Sequence, residues 1–305
     1  MTGYNIKSIR QDFKSKGIFY TPTELAEMIK SYLPADVKEV YDPTCGHGNL
    51  LSVFADEVQK YGQDINIVAV EEAKKLPNSF IELGDTLAEP KFLGKKFEAI
   101  VANPPFSIKW EQKSDERFAS APALAPKSKA DYAFILHILH YLADNGTAVV
   151  MEFPGILYRG NAEGKIRRWL VELNYIEKVI HIPGNTFVDT AIPTCILVLR
   201  KNRTDTDITF INTEDEVEKT VSVYEVAKND YNLSVNQYAC KEQTKEVIDI
   251  DAVEDEIENL MCGNLEKSLH TSYLMWKTVQ ARPLDKLLNR LEKIIQKYKK
   301  LIKEG

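Results

Sequence analysis

No stretch of the sequence approaches the roughly eighteen consecutive apolar residues of a membrane-spanning helix, so a span of that kind is excluded. The first residues, Met1 to Phe19, are polar and of mixed charge, and no secretory signal is expected there. Cysteine is scarce: Cys45, Cys195, Cys240 and Cys262 are the only four, with no CxxC and no Cys/His cluster. That spacing argues against a zinc site and a disulfide framework, and it fits a reducing cytoplasm. Internal repeats and low-complexity tracts are missing as well. Positive charge is also in short supply, with a formal net charge of −6. Affinity for a nucleic-acid backbone normally comes from Lys and Arg neutralising phosphates, so this chain is not expected to hold a duplex unaided. The imbalance is local: Glu242 to Glu258 carries eight acids against Lys245 alone, and Arg282 to Lys303 carries eight bases against Asp285 and Glu292.

What the sequence does have is material for a large core, 305 residues of which 44% are hydrophobic. From Glu39 to about Lys201, short runs rich in Val and Ile alternate with helical patterns, as a parallel sheet with crossover helices requires. Strands are expected at Glu39–Asp42, Gln59–Asp64, Ser79–Leu83, Phe97–Ala102, Thr147–Phe153, Ile176–Ile182 and Thr194–Arg200. The clearest helices between them are Ala130 to Ala143 and Glu163 to Leu173, where apolar residues recur at steps of three and four. The expected fold is α/β, a doubly wound, mostly parallel seven-stranded sheet of Rossmann-like type with a helical C-terminal tail. Upstream, Thr23 is placed to N-cap a helix from Glu24 to about Tyr32. Downstream of Asn202 the alternation stops. There Leu284, Leu288, Leu291, Ile295, Tyr298 and Ile302 form a heptad seam, which either packs on its own domain or pairs with a partner chain.

Asp42-Pro43-Thr44-Cys45-Gly46-His47-Gly48-Asn49-Leu50 follows the first strand and opens a helix, at the sheet edge where such folds bind ligands. Gly46 and Gly48 let backbone approach a ligand and take up positive φ. The GxGxxG spacing is missing, and Asp42 sits where a pyrophosphate would be repelled. An acid suits a cationic ligand such as a sulfonium amino acid. Asp64 is placed to accept ribose hydroxyls, or Glu71 if the strand is instead Ile65–Val70. Asp85, in Gly84-Asp85-Thr86 after the third strand, could accept a hydrogen bond from an adenine amine. Each acid alone reads as a turn residue; the series Asp42, Asp64 and Asp85 makes the case specific.

Together with Gly17-Ile18-Phe19-Tyr20-Thr21-Pro22, Ala102-Asn103-Pro104-Pro105-Phe106, Asp131-Tyr132-Ala133-Phe134, Arg159-Gly160 through Lys165-Ile166-Arg167 and Asn229-Asp230-Tyr231-Asn232-Leu233, these stretches resemble the modification (M) subunits of type I restriction-modification systems. Those are N6-adenine DNA methyltransferases, and the likeness covers roughly Gly17 to Tyr238. It implies a class I fold that binds S-adenosyl-L-methionine. Phe19, Tyr20, Thr21 and Pro22 would line the methionine end of the cofactor, with Thr21 on its carboxylate. Asp42, Cys45, Gly46 and Gly48 would wrap the methionyl chain, Asp64 with Ile65 would meet the ribose, and Asp85 with Thr86 the adenine. His47 stands where serine is commonest in that family and is not read as a base. The family also carries a long helical domain ahead of the cofactor-anchoring motif, where this sequence has Met1 to Lys16, so DNA clamping and sensing of a half-methylated site are not expected from that part.

The resemblance divides the chain into 1–37 (cofactor-anchoring segment and helix), 38–203 (catalytic domain), 204–260 (an acidic mixed extension) and 261–305 (a helical, coiled-coil segment). Asn103, Pro104, Pro105 and Phe106 would carry the chemistry on a flipped adenine, without a metal. Taken alone, Asn-Pro-Pro-Phe also reads as a strand-to-loop turn, and the motif serves enzymes acting on RNA bases or a glutamine side chain. By the same resemblance the methylation would protect host DNA from restriction, and the partners are a separate specificity subunit that chooses the DNA site, a second M chain joined through it, and restriction subunits in the full complex. An RNA adenine methyltransferase and a non-catalytic assembly subunit are the alternatives.

Overall fold

The sheet is built from alternation that points both ways. Val40, Ala99, Val101, Val149 and Met151 enter one buried cluster, while their neighbours Tyr41, Ile100, Ala102, Ala148 and Val150 enter another. Successive strand residues face opposite sides, so a sheet with two apolar faces must be covered by helices on both. In this computed structural model, residues 21–184, 186, 192–241, 250–279 and 284–304 are described; within the last two ranges some side chains are not.

The strands are β1 (Glu39–Asp42), β2 (Gln59–Asp64), β3 (Ser79–Leu83), β4 (Phe97–Ala102), β5 (Leu142–Glu152), β6 (Ile176–Ile182), β7 (Thr194–Arg200), β8 (Ile208–Asn212) and β9 (Val217–Val221). They form one sheet in the order β3-β2-β1-β4-β5-β7-β6-β8-β9. The pairs from β3 through to β5 are parallel, and β7 runs antiparallel to both its neighbours. The chain therefore winds outward from β1 to β3, returns, and continues on the other side of β1. The switch lies between β1 and β4, where ligands of open α/β sheets bind beyond the carboxyl ends of the strands.

Two expectations need correction. The sheet has nine strands rather than seven, because the alternation resumes past Asn202: Ile208, Phe210 and Asn212 are buried while Thr209 and Ile211 are half-buried. β8 pairs with β6, and β9 closes the edge against β8 with only its last residue, Val221, buried. The first described helix, α1 (Thr23–Ser31), starts one residue earlier than expected, with Pro22 at the N-cap and no side-chain cap. Proline's fixed φ already sets the extended entry that a capping threonine would provide.

The remaining helices of the sheet unit are α2 (Asn49–Ser52), α3 (Ile67–Ala73), α4 (Asp131–Tyr141), α5 (Asn161–Glu172) and α6 (Val223–Lys228). Every residue of α4 except His140 is buried, which suits a helix enclosed by the sheet and the loops that follow β4. The chain separates into two compact units, 1–241 and 242–305. The second contains α7 (Ile250–Val279) and α8 (Leu284–Glu304), which touch one another. Along the α8 seam Leu288 and Ile295 are exposed and Leu291 is half-buried, whereas the side chains of Leu284, Tyr298 and Ile302 lie outside the described set.

Candidate active site

Asp42, Asp64, Gly84-Asp85 and Asn103 each stand at or just past the carboxyl end of β1, β2, β3 and β4, so the parallel register alone gathers them at one sheet edge. After β1 the chain turns through Gly46 (φ 51°) and Gly48 (φ 86°), both in the left-handed region that favours glycine. Gly48 is doubly constrained, since a Cβ there would stand 2.7 Å from Leu76 Cδ1 and 3.3 Å from Ala73 Cβ of the adjoining α3 segment.

The acids hold the turns that present them. Asp64 accepts the Gly46 N–H at 2.9 Å through one oxygen and the Asn66 N–H at 2.8 Å through the other. Each carboxylate oxygen keeps a second lone pair toward the edge. Asn66 then caps α3, its side chain accepting the Val68 N–H at 3.0 Å. β2 thus ends at Asp64, and Glu71 lies within α3, paired with Lys74 Nζ at 2.9 Å. Ile65, beside Asp64, is 70% exposed, an unusual state for isoleucine and one that offers an apolar wall at the edge. Asp85 is exposed; its Oδ1 accepts the Leu87 N–H at 2.9 Å and the Ala88 N–H at 3.1 Å. Thr86 is buried, its hydroxyl bonded to the Pro43 carbonyl.

Asp42 is 1% exposed and accepts the Thr44 N–H at 2.9 Å. Burial pushes its carboxyl up to about 8, against the Thr44 N–H that favours the anion, and Asp64 adds to the rise. A cation placed beside it would restore the charged form. Cys45 contributes backbone rather than thiol: its N–H donates to Gln63 O at 3.0 Å, and its carbonyl accepts from Gly48 N–H at 2.8 Å. Its side chain is buried, and burial raises the thiol well above its ordinary range.

At the end of β4, Asn103 Nδ2 donates to Thr21 Oγ1 at 3.0 Å. Thr21 is itself fixed from the first glycine turn, because Asn49 Nδ2 donates to its carbonyl at 3.0 Å. With the amide committed this way, Asn103 Oδ1 is buried and has no hydrogen-bond partner. An orphaned acceptor of that kind costs roughly 1–3 kcal/mol unless something arrives to use it. Pro104 is buried, and Pro105 and Phe106 are half-buried, Phe106 packing against the cluster that holds Ala99 and Val101. Phe19 and Tyr20 lie outside the described residues.

Several residues that hold this edge together carry no signal in sequence. Gln63 Nε2 donates to Glu89 O at 2.9 Å and its Oε1 accepts the Lys91 N–H at 3.1 Å, tying the Asp85 loop to β2. Arg117 uses all five of its N–H groups: on both oxygens of Asp115, on Thr86 O at 2.8 Å, on Leu87 O at 2.7 Å and on His137 Nδ1 at 3.1 Å. His137 Nε2 then meets Tyr41 OH at 3.1 Å, one residue before Asp42. Burial, reinforced by the Arg117 charge, lowers the His137 pKa, so it is a neutral relay here. Among the described residues no group of His, Cys, Asp and Glu is arranged to hold a metal ion.

The family model described as "N-6 DNA Methylase" matches residues 6–223. The chain belongs to the N-6 DNA methylase family. It is 34% identical to the type I restriction enzyme MpnII methylase subunit of Mycoplasma pneumoniae, over 85% of this chain and 59% of that protein. The MjaVII methylase subunit of Methanocaldococcus jannaschii is 27% identical over 77% of this chain and 51% of that one. Among solved structures, the type I restriction-modification system methyltransferase subunit from Streptococcus thermophilus superposes with a TM-score of 0.67 at 33% identity, covering 73% of this chain and 59% of the other. The chain thus spans between half and six-tenths of the length of these relatives. Its fold is that of the Streptococcus thermophilus methyltransferase subunit, and its sheet has β8 and β9 beyond the seven strands expected from sequence. No helix among the described residues is long and apolar enough to cross a membrane.

Proposed function

We propose that this N-6 DNA methylase is the modification subunit of a type I restriction-modification system, transferring a methyl group from S-adenosyl-L-methionine to adenine N6 in duplex DNA. The observation that carries the reading is Asn103 Oδ1, a buried acceptor with no partner at the strand-end edge that also holds Asp42 and Asp64.

The amine of adenine is a poor nucleophile because its lone pair is delocalised into the ring, and in a duplex it is stacked and paired. Extrusion of the base costs roughly a few kcal/mol. Asn103 Oδ1 accepts one amine hydrogen and the Pro104 carbonyl the other, which localises the lone pair and aims it. Consecutive prolines fix the carbonyl directions and bring no competing N–H. Phe106 offers a face for the flipped base, worth about 1–3 kcal/mol by analogy with single-strand stacking. Bound at the glycine turn, the cofactor supplies an activated methyl on a sulfonium. Asp42 supplies the charge opposite that cation, Asp64 accepts from ribose hydroxyls beside the Ile65 side chain, and the Asp85-Thr86 loop borders the adenine. The residues present fit such a ligand: a desolvated acid, an exposed apolar wall and, at Gly46, backbone with open space for close approach. Catalysis is then positioning and polarisation, with the amine proton leaving after transfer.

Replacing Asn103 with Ala is expected to lower transfer about 10²–10³-fold, the range for removing one oriented polar group, while cofactor affinity by calorimetry stays within a factor of about two. Normal turnover by the variant would remove Asn103 from the mechanism.

Target choice falls to a separate specificity subunit, with a second modification chain and restriction subunits joining through it. The exposed Leu288 and Ile295 on the basic α8 support docking of that helix on such a partner. A chain ending before Pro283 is expected to elute apart from the specificity subunit in gel filtration; co-elution of the truncated chain would place the contact elsewhere.

A further inference from the structure

Beneath the turn that follows Phe106 lies a cluster of acids that the proposed chemistry leaves unused. Glu152, the last residue of β5, is 0% exposed, and Asp131, the first of α4, is 1% exposed. Both Glu152 oxygens and Asp131 Oδ2 are buried without a hydrogen-bond partner. The other oxygen, Asp131 Oδ1, accepts the Ser107 N–H at 3.0 Å and lies 3.4 Å from Ser107 Oγ. Ser107 has φ 53°, a left-handed conformation that a serine adopts only where its surroundings hold it.

The surrounding charges do not neutralise this group. Arg159 is the cation that faces it, and its Nη1 is 3.8 Å from Asp131 Oδ2 and 3.3 Å from Glu163 Oε1. The Cys195 thiol on β7 also senses Glu152 and Asp131, and Lys129 acts on Glu163 from the segment just before α4. Three carboxyl groups thus share one guanidinium in a dry site. Two neighbouring buried carboxylates cannot both remain ionised. As two anions they offer only acceptors, which is why three oxygens stand without a hydrogen bond; a single proton between them satisfies two at once.

We propose that Glu152 and Asp131 share one proton, and that this pair is a positioning device holding the Phe106–Ser107 turn against which the flipped base stacks. Glu152 carries the proton and donates it to Asp131 Oδ2, leaving Asp131 an anion whose Oδ1 fixes Ser107. Burial, and next the charge of Asp131, push the Glu152 carboxyl well above the usual range, in the same direction. Loss of the proton sets two anions against one another, frees the Ser107 N–H and loosens the turn. β5 ends two residues past the Ala102↔Val150 pair, so Glu152 closes at the same edge where Asn103 leaves β4. The pair therefore acts on the target side of the site and not on the cofactor side.

The part that concerns turnover rests on the proposed methyl transfer, so two of the readouts are independent of it. In chain labelled with ¹³C at the glutamate carboxyl, the resonance that disappears in Glu152→Gln is expected to hold its protonated position through neutral pH and to move only in alkali. The Ser107 amide is expected to lose hydrogen-exchange protection over the same alkaline range, and at every pH in Asp131→Asn. With DNA and the co-purified specificity subunit, kcat/KM for DNA falls over that range in the native chain. It holds in Glu152→Gln, whose amide still donates to Asp131 but has no acid proton to lose. Glu152→Ala loses at least tenfold in kcat/KM for DNA at all pH values, with cofactor affinity changed less than twofold. A Glu152 resonance titrating in the ordinary carboxylate range, a Ser107 amide indifferent to these changes, or superimposable pH profiles for native and Glu152→Gln would overturn the proposal. Absence of transfer by every form at every pH would count against the methyltransferase reading, and the two resonance measurements would still decide the shared proton.

Discussion

Asp42 shows how one buried acid at a strand end ties stability to ligand chemistry. Its folded pKa, about 8, lies above the ordinary carboxylate value near 3.9, so the folded chain binds more proton than the unfolded one between those limits. The stabilising contribution of the neutral acid is complete below the lower limit and is lost as pH rises through about 8. Thermal unfolding should show a downward slope across that window, shallower in Asp42→Asn. A sulfonium ligand favours the anion, so its binding at pH 7 should expel a proton. Calorimetry in two buffers of different ionisation enthalpy reads this directly. A binding enthalpy independent of buffer would show that Asp42 does not face the cation. The residues proposed to meet ligand could be picked out in sequence because they close patterns: an acid or asparagine at or just past the end of a strand, and a glycine turn that begins four positions after Asp42. Thr21 was placed on the ligand's carboxylate by resemblance, and in the structure its hydroxyl accepts from Asn103, a partner 82 positions away.

At the scale of elements, the sheet edge is assembled by loops that reach across it. Arg117, from the segment after β4, grips the Thr86 and Leu87 carbonyls next to Asp85, and through His137 and Tyr41 it connects to the start of the glycine turn. The loop on the target side thereby sets the position of the loop proposed to border the cofactor's adenine. Arg117→Lys keeps the charge and loses the planar fork, leaving carbonyls unpaired. Cofactor affinity by calorimetry should drop about tenfold, roughly 1.4 kcal/mol and near the lower end for losing one hydrogen bond to a charged group, with the native circular dichroism retained; unchanged affinity would mean the Asp85 loop is held without it. Strands such as Phe97–Ala102 and Thr194–Arg200 could be read from sequence because both faces are buried and nearly every residue is apolar. β8 and β9 could not, since Thr209 and Asn212 interrupt the first, and the second, Val-Glu-Lys-Thr-Val, buries only Val221 as an edge strand does. The Arg117, Gln63 and Glu152–Asp131 connections join residues about twenty or more positions apart, and no local periodicity marks them.

For the molecule as a whole, the two compact units divide the labour that the charge distribution implies. The sheet unit carries the site, while the unit at 242–305 carries the basic helix with exposed apolar residues. A chain with a net charge of −6 gains little from phosphate attraction, which fits the proposal that another subunit supplies the grip and the sequence choice. The central claim is that this edge methylates adenine N6 in duplex DNA. Its most direct measurement is the transfer of labelled methyl from S-adenosyl-L-methionine by the chain co-purified with its specificity subunit. The substrates are duplex DNA containing the recognised site and an RNA of matching sequence. The account predicts label on adenine N6 of the DNA, none on the RNA, and label on DNA about 10²–10³-fold slower with Asn103→Ala. Label on RNA, or no label on DNA from a complex that binds both the cofactor and the site, would contradict it.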